Sequence, residues 1–186
     1  MIKIGGNVID QEDSLMAFLE EFASIKEKKI LVHGGGKIAS RLGEKLGIES
    51  KYIQGRRITD APTLDLVTMV YGGLVNKKIV ARLQAFSCNA IGLTGADANL
   101  LPAAKRPVKE IDYGFAGDIK PALVPVNNWK IFVDNDFVPV VAPLTHDGKG
   151  NMLNTNADTI ASTVAVVLSA FYEVRLIYCF EKKGSA

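Results

Sequence analysis

The stretch "KKILVHGGGKIASRLGEKLGI", residues 28–48, joins an apolar run to three consecutive glycines and then to an amphipathic segment. The run "ILVH" has the length and apolar character of a buried strand. Ile38, Leu42 and Leu46 fall at helical spacing, and Gly47 follows the last of them, which is typical of a helix end. A strand therefore passes directly into a helix, and the glycines leave bare backbone at the junction.

Strand and helix patterns alternate along the rest of the chain. The apolar runs "IKIG", "AIGLTG", "FVPVVAPL" and "VRLIYCF" predict four more buried strands. Helical spacing predicts helices after Asp10, across residues 60–86 with a loosening at Gly72 and Gly73, and in "NTNADTIASTVAVVLSAF". This alternation predicts an α/β fold, a three-layer αβα sandwich with a mainly parallel central sheet.

Two segments predict hairpins outside this alternation. "KYIQGRRIT", residues 51–59, alternates around one glycine. "KRPVKEIDYGFAGDIK", residues 105–120, alternates polar and apolar positions around glycines and predicts a β-hairpin that lies outside the main sheet.

Composition predicts a soluble domain without a nucleic acid or membrane partner. The chain has 186 residues, 48% of them hydrophobic and 23% charged, and a net charge of +2. No apolar run approaches the roughly 20 residues that span a bilayer, and the first residues resemble a strand rather than a signal peptide. We therefore expect a cytoplasmic protein in which Cys88 and Cys179 are reduced core thiols.

Three of the predicted strands end in glycine, at Gly5–Gly6, Gly34–Gly36 and Gly95. In a parallel sheet the ligand crevice lies beyond the carboxyl ends of the strands. Glycine lets backbone amides approach a ligand, and a helix N-terminus adds free N–H groups, so the junctions suit phosphate oxygens. Tight turns are the alternative explanation, and the spacing matches neither a P-loop nor a GxGxxG fingerprint.

Five motifs follow one another in order: "IKIGG", "LVHGGG", "GRRIT", "GLTGAD" and "NTNAD". Together they resemble the amino acid kinase family, and within it the N-acetylglutamate kinases, over essentially the whole chain. The resemblance implies a carbamate kinase-like fold. It also implies transfer of the γ-phosphoryl group of ATP, used with Mg²⁺, to the side-chain carboxylate of N-acetyl-L-glutamate in arginine biosynthesis.

Three alternatives remain open at this point. The acceptor could be N-succinyl-L-glutamate, for which Lys105, Arg106 and Lys109 are candidate basic contacts. Another family reaction with a different acceptor is the second alternative. The third is a non-catalytic remnant that only binds an acyl amino acid.

The acceptor carboxylate has a reference pKa near 4.3, so it is ionised at neutral pH and needs no general base. The site must instead neutralise charge and align two anions. The resemblance implies that Lys3 is a catalytic lysine and that Asp158 orients it. It further implies that Gly5, Gly6, Gly34, Gly35 and Gly36 offer amide donors to the phosphates and the reacting carboxylate.

The remaining implied contacts concern the acceptor. Arg57 matches the arginine that clamps the α-carboxylate, because a guanidinium can donate two parallel hydrogen bonds. Arg56 is the alternative for that role. Asn154 resembles a residue that joins the acceptor contact, with Asn156 close to it. Both histidines, His33 and His146, are interpreted as structural, and Asp97 and Asp118 receive no role.

The resemblance also divides the chain. Residues 1–180 are expected to form the acceptor-binding part, with the hairpin near residues 105–120 as a lid. Residues 181–186 are expected to begin a nucleotide-binding part that is truncated in this chain. A metal site built from protein alone is not expected, because Mg²⁺ should arrive with ATP. Since the chain starts at its first strand, we expect a homodimer without arginine feedback.

Overall fold

The computed structural model describes residues 1–179, so the interpretation of residues 181–186 lies outside the described residues. The helices are α1 (Gly6–Asp10), α2 (Glu12–Ser24), α3 (Gly36–Lys45), α4 (Ala61–Val67), α5 (Asn76–Ala85), α6 (Val126–Val133) and α7 (Ala157–Leu168). The strands are β1 (Ile2–Ile4), β2 (Leu31–His33), β3 (Tyr52–Ile53), β4 (Arg56–Arg57), β5 (Ala90–Leu93), β6 (Ala103–Lys105), β7 (Gly117–Ile119), β8 (Val138–Val141), β9 (Leu144–His146), β10 (Met152–Asn154) and β11 (Ile177–Cys179).

The central sheet contains the five predicted strands in the order β11-β1-β2-β8-β5, and every neighbouring pair is parallel. Ile4 at the end of β1 lies opposite His33 at the end of β2 and Cys179 at the end of β11. The carboxyl ends of these strands therefore meet at one edge, which confirms the predicted parallel sheet.

Two apolar cores cover the two faces of the sheet. Adjacent strand residues point to opposite faces, so Leu31 belongs to one core and Val32 to the other. Helices α2 to α5 pack into the first core, which includes Phe22, and α6 and α7 pack into the second, which includes Trp129. The predicted three-layer sandwich is confirmed, although the sequence interpretation overlooked α6 and the β9–β10 hairpin.

The long helical stretch contains the predicted loosening. Asp60 caps α4 by accepting a hydrogen bond from the Thr63 amide at 3.0 Å. Residues Thr68–Val75 then form a π-helix that includes both glycines and passes directly into α5. A π-helix bonds residues five apart, so it changes which side chains share a face. This change of register bears on the site, because the segment packs beside the glycine junction.

The predicted hairpins both lie outside the central sheet. β3 and β4 form one antiparallel pair, and β6 and β7 form another that spans residues 103–119. The segment between β6 and β7 is held at Thr59, which accepts a hydrogen bond from the Phe115 amide at 2.7 Å. A lid role for this segment stays a prediction. Cys88 and Cys179 are free thiols, and burial raises the pKa of each.

Candidate active site

Two pockets adjoin at the carboxyl edge of the sheet and share a wall made by Gly34–Gly36 and Tyr52. The first encloses about 200 Å³ and is also lined by Arg57 and Asn154. The second, of about 470 Å³, is also lined by Lys3 and the Gly5–Gly6 pair. Residues predicted from two separate glycine junctions are therefore brought together.

The third glycine junction is tightly packed. Gly95 lines neither of these pockets, and its amide donates to the Leu144 carbonyl at 2.7 Å. A Cβ at this position would lie 2.7 Å from the Leu101 Cβ and 2.8 Å from the Leu144 carbonyl oxygen. Close packing therefore explains the glycine at position 95.

The glycine junction after β2 has a backbone that favours glycine. Gly35 has a φ of +154°, and a Cβ on it would lie 3.0 Å from the Tyr71 Cδ1. Helix α3 begins at Gly36 in this wall, so the first N–H groups of the helix have no intrahelical partners. These free donors and the helix dipole favour an anion at the junction.

Arg57 is buried, with 7% of its surface exposed, whereas Arg56 is exposed at the pocket rim. Alternation along β4 explains the difference, since neighbouring strand residues face opposite sides. The Arg57 Nη1 donates to the Ser50 hydroxyl at 2.5 Å, and its Nη2 donates to the Gly36 carbonyl at 2.9 Å. The guanidinium also lies over the Tyr52 ring, 4.7 Å from its centre.

All of these partners of Arg57 are neutral. Among residues 1–179 no carboxylate forms an ion pair with its guanidinium. Burying a charge without a counter-ion is costly, and an anion in the pocket would offset that cost. The pocket therefore favours a ligand carboxylate.

The two predicted asparagines differ in what their side chains do. Asn154 donates from Nδ2 to the Thr59 hydroxyl at 3.0 Å, and this hydroxyl donates to the Arg57 carbonyl at 3.3 Å. Asn156 caps α7, because its Oδ1 accepts from the amides of Asp158 at 2.8 Å and Thr159 at 3.1 Å. Both line the smaller pocket, and Asn154 is connected through the Thr59 hydroxyl to the backbone carbonyl of Arg57.

Lys3 and Asp158 form an ion pair of 2.7 Å between Nζ and Oδ1, although 155 positions separate them in the chain. The Lys3 side chain is 9% exposed and the Asp158 side chain 49% exposed. Strand β1 places the lysine beside the glycines, and the first turn of α7 places the aspartate. The carboxylate fixes the position of the buried ammonium group at the edge of the larger pocket.

His33 is fully buried and adjoins the same glycines. Its Nδ1 lies 2.7 Å from the Gly34 carbonyl oxygen, and its Nε2 lies 3.0 Å from the Nδ2 of Asn76. Burial is the main cause that lowers the pKa of His33 to about 4; the hydrogen bond to Gly34 opposes this shift, and the charge of Lys77 adds a smaller lowering. The ring is therefore neutral at pH 7.

Sequence reasoning missed Tyr52, Tyr71 and Asn76. Tyr52 lies in the predicted hairpin, and its hydroxyl contacts Arg57 and lies 3.2 Å from the Ser40 hydroxyl. The available signal for Asn76 was a lone amide among apolar helix positions. For the two tyrosines no signal in the sequence distinguishes them from core or surface aromatics.

Comparison with known proteins assigns the family. The model of the amino acid kinase family matches residues 1–179. The chain belongs to this family. A relative named acetylglutamate kinase from Cytophaga hutchinsonii is 60% identical over 185 residues, which are 99% of this chain and 69% of that protein. A relative of the same name from Bacteroides thetaiotaomicron is 58% identical over 184 residues, 99% of this chain and 71% of that protein.

A solved member of the fold supports the same assignment. The smu.665 protein of Streptococcus mutans superposes with a TM-score of 0.74 at 28% identity, covering 90% of this chain and 67% of that one. These matches confirm the predicted family and its three-layer fold. No helix within residues 1–179 has the length and apolar character needed to cross a membrane.

We predict that Gly35→Ala lowers the free energy of unfolding by about 1–3 kcal/mol, because a side chain there adds backbone strain and contacts Tyr71. Gly36→Ala is the matched control, since the nearest atom to its Cβ is the Tyr52 hydroxyl at 3.9 Å. We expect Gly36→Ala to change stability by less than about 0.5 kcal/mol. Urea denaturation measures both, and equal losses would contradict the geometry at Gly35.

The buried ring of His33 predicts a pH-dependent stability. Below pH 6.5 the unfolded chain takes up a proton that the folded ring accepts only near pH 4. The free energy of unfolding should therefore fall as the pH drops from 6.5 to 4, by up to about 3 kcal/mol from this group. His33→Asn removes this contribution. The free energy of unfolding of this variant, measured by urea denaturation at several pH values, should therefore fall less steeply as the pH drops. Parallel curves would contradict the assigned pKa.

Proposed function

We propose that the protein transfers the γ-phosphoryl group of ATP to the side-chain carboxylate of N-acetyl-L-glutamate, giving an acyl phosphate for arginine biosynthesis. The observation that carries this proposal is the buried Arg57 guanidinium without a carboxylate partner among residues 1–179, in a pocket that adjoins the glycine junction. The names of the relatives at 58–60% identity support the same acceptor.

The smaller pocket suits a small dicarboxylic acid. Its volume of about 200 Å³ lies below the roughly 300–1,000 Å³ typical of sites for drug-sized ligands. In our proposal the α-carboxylate of the acceptor binds Arg57, and Asn154 also contacts the acceptor. The side-chain carboxylate then faces Gly34–Gly36, which form the wall shared with the larger pocket.

The larger pocket would receive the triphosphate. Lys3 and the backbone amides after β1 and β2 would donate to phosphoryl oxygens there, which offsets the repulsion between the two anions. Asp158 would hold Lys3 in place through its ion pair. The acceptor is already ionised, so the reaction needs no general base, and the neutral His33 takes no part in proton transfer.

We propose that Mg²⁺ enters with the nucleotide. Residues 1–179 contain no group of three or more acidic, histidine or cysteine side chains suited to a metal ion. Mg²⁺ is commonly held by substrate phosphates and only one or two carboxylates. It would neutralise phosphate charge when bound.

A second acceptor has one specific observation in its favour. Arg56 stands exposed at the rim of the acceptor pocket, so a second guanidinium is available to an acyl group that ends in a carboxylate. N-succinyl-L-glutamate is such a compound. A role limited to binding is less well supported, because a binding protein has no need for the Lys3–Asp158 pair beside the glycines.

The proposal also covers the cellular location and the oligomeric state. We propose a cytoplasmic homodimer, with the exposed apolar side chains of Met69 and Leu74 on the long helical stretch as the observation that favours self-association.

Calorimetric titration with N-acetyl-L-glutamate, N-succinyl-L-glutamate and L-glutamate tests the acceptor. We expect one acyl-glutamate to bind and L-glutamate not to bind.

Arg57→Lys should weaken binding about 10- to 100-fold, because lysine cannot make the paired hydrogen bonds of a guanidinium. Arg56→Lys is the matched control and should change the affinity for N-acetyl-L-glutamate less than about 3-fold. A larger loss in the Arg56 variant would contradict the assignment.

Asp158→Asn should separate turnover from binding. We expect kcat to fall at least about 10-fold, because Lys3 loses the partner that positions it, while the dissociation constant of N-acetyl-L-glutamate changes less than about 3-fold. Steady-state kinetics with ATP and calorimetry measure the two effects, with Asp65→Asn on the exposed face of α4 as a control. Equal losses in both quantities would count against the role of Asp158.

A further inference from the structure

Two buried polar side chains lie beside the glycine junction and do not line either pocket. His33 at the end of β2 is 0% exposed, and Asn76 at the start of α5 is 1% exposed. Their side chains are 3.0 Å apart, between Nε2 and Nδ2. Buried polar groups are costly unless hydrogen-bonded, so the partners of the nitrogen atoms in this pair are informative.

The Asn76 amide has a defined orientation. Its Nδ2 lies 2.9 Å from the Val140 carbonyl oxygen, which can only accept a hydrogen bond. One hydrogen of this nitrogen therefore goes to Val140 and the other to the Nε2 of His33. The Nε2 must then accept, so the proton of the neutral ring lies on Nδ1.

The Nδ1–H of His33 donates to the Gly34 carbonyl at 2.7 Å. This carbonyl and the Gly35 N–H belong to one planar trans peptide, in which they point in opposite directions. Holding the carbonyl toward His33 therefore directs the Gly35 N–H away from His33, and Gly35 lines both pockets.

We propose that His33 and Asn76 are positioning residues that fix the Gly34–Gly35 peptide, so that the Gly35 N–H stays directed at the anion in the site. The anion is a phosphoryl oxygen or the reacting carboxylate, and only this identity rests on the proposed function. The orientation itself rests on the three hydrogen bonds from Val140 to Gly34.

The neighbouring backbone is shaped around the same contact. Asn76 follows the π-helix Thr68–Val75, and Tyr71, five positions earlier, packs against Gly35. On the opposite side, a Cβ on Gly92 would lie 1.9 Å from the Asn76 Oδ1. The π-helix register and the bare backbone at Gly92 thus allow the amide to reach between β2 and β8.

Two substitutions of His33 test the roles of its two ring nitrogens separately. The side-chain nitrogen of Asn can occupy the Nδ1 position and donate to Gly34, whereas the longer Gln reaches Asn76 but leaves the Gly34 carbonyl without its donor. We expect the Gly35 amide resonance in a ¹H–¹⁵N spectrum to shift strongly in His33→Gln and little in His33→Asn. Affinity for N-acetyl-L-glutamate should fall at least about 10-fold in His33→Gln and be largely retained in His33→Asn.

A control variant and a measurement on the unaltered protein accompany the two His33 variants. His146→Gln, outside both pockets, should change neither quantity. Equal effects of the two His33 variants, or no effect of His33→Gln on the Gly35 amide, would overturn the proposal. The ring tautomer of the unaltered protein, read from its ¹⁵N shifts, needs no variant, and a proton on Nε2 would also overturn it. If the unaltered protein binds no acyl-glutamate, the proposed function fails, and the tautomer and the Gly35 amide still decide this inference.

Discussion

A buried guanidinium without a carboxylate partner in the described chain is the constraint on which the acceptor site depends. Arg57 is held by neutral acceptors, the Ser50 and Ser40 hydroxyls and the Gly36 carbonyl, and it lies against Tyr52. These bonds fix its position, but they leave its charge uncompensated. An anion in the pocket would supply the missing charge. The β3–β4 hairpin and the start of α3 are thereby tied to ligand binding.

The second cation of the site is compensated within the protein. Lys3 pairs with Asp158, so its charge is balanced before any ligand binds. The contrast assigns different tasks to the two pockets. The smaller pocket has a guanidinium that no carboxylate of residues 1–179 pairs with, so it suits a ligand carboxylate. The larger pocket has a lysine paired with Asp158 and backbone N–H donors, so it suits phosphate groups. The glycines lie between the two, where acceptor and phosphoryl group would meet.

Local sequence patterns predicted the strands of the central sheet and most of the helices, because these elements depend on the spacing of nearby apolar residues. Apolar runs located the five strands of the sheet, and helical spacing located α2, α3, α5 and α7. The family resemblance chose Arg57 over Arg56, and alternation along β4 explains why Arg57 is buried and Arg56 exposed. The family motifs led to the ion pair between Lys3 and Asp158, which spacing alone could not have predicted across so long a separation.

The features that escaped prediction depend on contacts between distant segments. Gly95 was grouped with the ligand-binding glycines, because its close packing against Leu144 leaves no trace in the local sequence. The pairing of His33 with Asn76 depends on the π-helix register, which no spacing rule predicts. Helix α6 was overlooked because its eight residues around Trp129 are too few to give a strong periodic signal.

A crystal structure of the protein with N-acetyl-L-glutamate tests the central claim most directly. The account predicts the α-carboxylate in two hydrogen bonds with the Arg57 guanidinium, and the side-chain carboxylate facing the amides of Gly34–Gly36. An acceptor bound elsewhere, with Arg57 still bonded only to the neutral groups of its own chain, would contradict it.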